Sequence, residues 1–146
     1  MSCPACIAPH RLLEDRRATS AVEFALVLPI FIIMLFGILV YGSYLVVVHG
    51  VQQLAAEAAR SSVAGLSDTE RASLAQSYVT ANVSYYPLIS SDRITVRAAP
   101  SSANAGVFVV TVNYDDSQSF IYFLPQFVPV PPSNIVRTAA IPRGGY

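Results

Sequence analysis

Charge is what this sequence has least of. Only 12% of its residues are Asp, Glu, Lys or Arg, about half the share of an ordinary soluble domain. The shortfall is concentrated between Phe24 and Val48, where no charged residue occurs and only Pro29, Gly37, Gly42 and Ser43 interrupt the apolar run. Lysine is absent, the formal net charge is zero and no basic cluster follows Arg17. A nucleic-acid binder needs a basic footprint, and this chain lacks one.

Cysteine is nearly absent as well. Cys3 and Cys6 both precede the apolar run, so the region beyond it has no disulfide available and must be held by packing. Cys3-Pro-Ala-Cys6 with His10 has the spacing of half a zinc site, and no second pair completes it. The two histidines, His10 and His49, flank the apolar run and leave no Ser-His-Asp set to assemble. Asp115-Asp116 reads as a solubilising turn at a hairpin tip. These readings point to a structural protein rather than an enzyme, with no catalytic residue, cofactor or metal expected.

What the sequence has in abundance is apolar length. A helix from Phe24 to Val48 rises roughly 37 Å at ~1.5 Å per residue, enough to cross a ~30 Å hydrocarbon layer with some tilt. The run is too long for the ~7–15-residue core of a cleavable secretory signal. Arg11, Arg16 and Arg17 precede it, and the next basic residue is Arg60. The positive-inside rule therefore puts the N-terminus in the cytoplasm and the rest of the chain outside.

Beyond the span, VQQLAAEAARSSVAG places Val51, Leu54, Ala55, Ala58, Ala59, Ser62 and Val63 on one helical stripe, with Gln52, Glu57 and Arg60 opposite. Gly50 is only a weak break, so a single helix is expected from about 19 to 64. Ser67-Asp-Thr-Glu70 has the capping-box spacing and opens a second helix, to about Asn82. Strand patterns follow in DRITVRA, in GVFVVTVNY (the expected central strand) and in SNIVRTAAI. Between the last two lies FIYFLPQFVPVPP, whose prolines restrict it mostly to extended loop. Its apolar side chains, Phe120, Tyr122, Phe123 and Phe127, either cover the sheet or offer a partner surface. The fold class expected is α+β, a long N-terminal transmembrane helix followed by a small head with a three-strand antiparallel sheet. Its parts are a leader (1–18), the membrane and extended helix (19–65) and the head (66–146).

One charge stands out by its setting. Glu23 has Ala21 and Val22 before it and Phe24 to Pro29 after it. A carboxylate at membrane depth is costly and calls for a positive partner, and no basic residue within the span can supply one.

Basic residues, a small residue, TSAVEF and then a long apolar helix: this pattern resembles the N-terminus of TadE-like pseudopilins. These are minor, pilin-like components of the Tad (tight adherence) secretion and pilus system. The post-membrane AAEAARSSVAG and the late IVRTAAIPR are similar to segments of the same family. The resemblance implies a bacterial inner-membrane protein with a periplasmic head, processed by a prepilin peptidase between Ala18 and Thr19. Ala18 stands where the family has Gly. It further implies that Glu23, followed by Phe24, pairs with the N-terminal amine of a neighbouring pilin or pseudopilin, setting subunit register. The function expected is that of a minor pseudopilin in assembly of a Tad-type pilus. The alternative is an unprocessed, membrane-anchored adaptor that recruits a partner through its head.

Overall fold

The computed structural model describes residues 16–124 and 128–143. Helix α1 runs without interruption over Arg16–Ser62 and is followed by α2, Asp68–Asn82. Three strands complete the head: β1 Ile94–Pro100, β2 Val107–Asp115 and β3 Asn134–Pro142. They form one antiparallel sheet in the order β1-β2-β3, with β2 central. The α+β architecture and the central strand are as the patterns indicated. Helix α1 already includes Arg16, Arg17 and Ala18, ahead of the start expected at about 19, since none of them is a helix breaker.

Two solvents divide α1. Every residue from Thr19 to Phe31 is exposed, as are Ile33, Met34, Leu35, Ile38 and Leu39. Only 6% of its most apolar stretch is covered by the rest of the chain. A core helix of this hydropathy would be buried, so this part is built for lipid. From Val47 onward the same helix becomes the spine of the head. Val47, Val51, Leu54, Ala55, Ala58, Ala59 and Ser62 are buried along one stripe, which packs on β2, β3 and α2. The small Ala and Ser side chains let the sheet approach the helix axis closely.

The sheet contributes its alternate residues. Along β2, Phe108, Val110, Val112 and Tyr114 are fully buried against α1, while Val109, Thr111 and Asn113 face outward. β1 turns Ile94, Val96 and Ala98 inward and leaves Thr95 and Arg97 exposed. α2 closes the flank with Ala75 and Val79. Its start is capped as the sequence indicated: Ser67 Oγ accepts from the Glu70 N–H at 3.1 Å. The Glu70 carboxylate reaches back one residue further than in a standard box, accepting from the Leu66 N–H at 2.9 Å. An ion pair between Asp68 and Arg143 ties the start of α2 to the end of β3.

The strands run alongside α1, which gives the head two ends. The Leu66 turn, the β1–β2 connection and Arg143 lie at the end far from the span. Residues 83–93, 116–124 and 128–133 lie at the near end, beside the point where α1 leaves its lipid-facing part. The turn expected at Asp115–Gln118 is present, with the Ser119 N–H donating to the Asp116 carbonyl, and a long connection follows it to β3.

Gly50 is a packing residue rather than a break. A Cβ there would lie 2.8 Å from Ile89 Cδ1 and 3.3 Å from Tyr86 Cδ1, so the 86–89 loop rests directly on the bare helix backbone. Gly50→Val should therefore destabilise the head by ~1–3 kcal/mol through overpacking. Gly37→Val, where nothing lies within 4 Å, should leave it unchanged. Near-UV circular dichroism melting of the detergent-solubilised chain measures both.

Candidate functional site

Two regions carry the residues singled out by the sequence. The first is the start of α1. The Ala18–Thr19 bond lies within the helix, just after Arg16 and Arg17, among the first described residues of the chain.

Glu23 sits one turn further on. It is exposed, and so is Thr19, four residues before it. That spacing stacks the two on one face of the helix. No described side chain forms an ion pair or hydrogen bond with Glu23. Phe24 beside it is 65% exposed, and the surface around them is apolar. Pro29 follows on the same helix, and its missing N–H deprives the Ala25 carbonyl of a partner.

The second region is the near end of the head, centred on Tyr114. This last inward residue of β2 donates its hydroxyl to the Leu88 carbonyl at 3.1 Å and accepts from the Ser90 N–H at 3.3 Å. The Arg93 guanidinium stacks over its ring, 5.6 Å from the centroid. Leu88 has φ 66°, the one described non-glycine residue in the left-handed region, at a cost of ~1–2 kcal/mol. The Tyr114 hydroxyl holds that strained turn in place, and the Leu88 side chain is left 53% exposed.

The aromatic segment divides between the two roles considered for it. Phe120–Tyr122 forms a 3-10 turn, closed by the Phe123 N–H donating to the Phe120 carbonyl. Three residues per turn put Phe120 and Phe123 on one side, and both are exposed. Ile121 is fully buried. Tyr122, expected as part of an outer surface, is instead half-buried with its hydroxyl turned inward. Phe127 lies outside the described residues, as do Cys3, Cys6 and His10.

Asp116 departs furthest from its sequence reading. It is not a solubilising tip residue: it is 1% exposed, because its N–H donates to the Ser133 carbonyl and its carbonyl accepts from Ser119. Those bonds fold the β2–β3 connection back over it. Burial raises its pKa to about 6, with Asp115 adding to the rise and Arg93 opposing it. Burial and the nearby carboxylates raise the Tyr122 hydroxyl to about 12. Asp116 Oδ2, Tyr122 Oη and Arg93 Nη1 are all buried without a hydrogen-bond partner. Exposed Asp115 is shifted down by the Ser117 N–H it accepts. Asp116 and Leu88 left no trace in the sequence. A Gly at 88 would have marked the turn; a Leu there concealed it.

Taken together, the fold defines a single-span, membrane-anchored protein with a small α+β head. Residues 18–60 match the family model described as TadE-like protein, the family that the opening motif resembles. The match takes in Thr19, Glu23, the span and all of the packing stripe but Ser62, and leaves the sheet outside it. No curated protein and no solved structure matches the chain.

The raised pKa of Asp116 makes a signed prediction. The folded state holds this proton more tightly than the unfolded chain, so its contribution to stability falls as pH rises from about 4 to about 6 and is level above that. Asp116→Asn removes the titration. The melting temperature of the wild type, relative to this variant, should drop across that window and stay constant from pH 7 to 8.

Proposed function

We propose that the chain is a minor pseudopilin, a non-catalytic subunit in assembly of a Tad-type pilus. The observation that carries this reading is Glu23, a carboxylate on an exposed, apolar helix face that has no ion pair or hydrogen bond among the described residues, in a segment that matches the TadE-like family. Removal of residues 1–18 by a prepilin peptidase creates a cationic α-amine on Thr19. It also removes Arg16 and Arg17 with the leader.

The new amine and Glu23 are then four residues apart on one face. Within a single chain they are neighbours along the helix. Between two chains, the amine of one can meet the Glu23 of the next. Leaving a carboxylate unpaired in lipid costs several kcal/mol, and a subunit inserted in register removes much of that cost. In this reading the head faces the periplasm of a bacterial inner membrane and the leader the cytoplasm. The lipid bilayer, the prepilin peptidase and other pilins or pseudopilins are its partners.

Mass spectrometry of the chain recovered from membranes containing a Tad prepilin peptidase tests this. The expected product begins at Thr19, and Ala18→Gly should be cut at least as fast. Glu23→Gln should lower incorporation into pilus fractions by about tenfold or more, the equivalent of ~1.4 kcal/mol. An intact leader still carrying Cys3 and Cys6 would instead identify an unprocessed anchor with an adaptor head.

A further inference from the structure

The near end of the head stands where the chain leaves the membrane. Counted from Thr19, so that Glu23 lies within it, a hydrocarbon layer about 20 helical residues deep ends close to Ile38 and Leu39. The head already reaches that level. Tyr41 donates its hydroxyl to the Pro129 carbonyl at 3.0 Å, and Val40 is 3% exposed although Leu39 and Tyr41 beside it are open. The connection between β2 and β3 therefore meets α1 at the outer boundary of the bilayer.

The side chains turned outward there are apolar. Phe123 is 76%, Leu88 53% and Phe120 49% exposed. Leu88 and Phe120 flank one shallow cleft, whose floor includes Arg93 and Asp116. Tyr41, itself 42% exposed, joins the same connection to the lipid-facing part of α1 through Pro129, and Tyr44 lies close to Tyr122. Aromatic rings at such a boundary are typical of the headgroup layer. The unpartnered, buried polar atoms of Arg93 and Asp116 belong to residues lining the same cleft.

We propose that the head is seated on the outer leaflet, with Phe120, Phe123 and Leu88 inserted into the headgroup–acyl boundary. The occupant of this apolar collar is lipid, because the connection that carries Phe120 and Phe123 meets the lipid-facing helix at the bilayer boundary. Zwitterionic lipid suits it best, since Asp92 and Asp115 are exposed at the same end and disfavour an anionic surface. The strained turn at Leu88, held by Tyr114, aims a leucine into this boundary. Seating is independent of processing and of assembly, so it describes the membrane-resident subunit whatever becomes of its leader.

The chain contains no tryptophan, so a single introduced one reports its own position. Phe120→Trp and Phe123→Trp replace exposed aromatics, and Leu66→Trp serves as reference at the far end, where Leu66 is 94% exposed. Each full-length variant is reconstituted at low density in phosphatidylcholine vesicles with or without brominated acyl chains. The expected result is a blue-shifted emission at positions 120 and 123, quenched several-fold more by brominated lipid than at 66. Quenching by aqueous acrylamide equal to that at 66 overturns the proposal. Shielding from both quenchers would place the collar against protein and overturn it equally.

Discussion

Everything in this protein depends on one helix serving two solvents. Helix α1 is continuous from Arg16 to Ser62, yet its first part shows apolar side chains on all sides and its last part shows a single stripe. Lipid demands the first arrangement and a one-sided protein core the second. The head cannot form its core without the stripe, because the buried residues of β2 have α1 as their floor. Anchoring and folding are therefore inseparable. The sheet is mounted directly on the membrane helix, with no linker between span and head.

That rigid mounting has consequences at both ends. At the near end the loops are forced against the bilayer boundary, and Gly50 lets the 86–89 segment lie directly on the helix. At the start of α1, the lipid-facing part carries its only charge at Glu23. A rigid shaft transmits the position set there to the head beyond. A contact that fixes the axial register of Glu23 also fixes where the head stands.

The near end of the head is where the structure tolerates unfavourable features. A leucine with positive φ, a buried carboxylate with a raised pKa and three polar atoms without partners lie within a few residues of one another in space. At the far end a capped helix and the Asp68–Arg143 ion pair close the fold, and Arg71, which donates to the Gly65 carbonyl, leaves one buried nitrogen without a partner. The strained turn and the buried carboxylate lie on the side that meets the membrane.

Much of this was written in local patterns. The uncharged run fixes a span by length alone. The stripe from Val51 to Ser62, the cap at Ser67 and the alternation of DRITVRA each follow from a period or a hydrogen-bonding preference confined to a few neighbours. Glu23 is legible because its cost depends only on its apolar surroundings. Tertiary structure decided what depends on distant residues. Asp116 is buried only because Ser133 and Ser119 fold the connection over it, and Tyr122 turns inward only because Ile121 beside it is drawn into the core. Leu88 keeps its strained backbone because a tyrosine on another element pins it. Gly50, read along the chain, is a weak break in a helix; in the fold it is the space that a loop needs. Sequence by itself determined where the chain is lipid-soluble, helical or extended, since those properties arise within a turn or two. Which side chains face the boundary, and which groups go without partners, was decided by packing between elements.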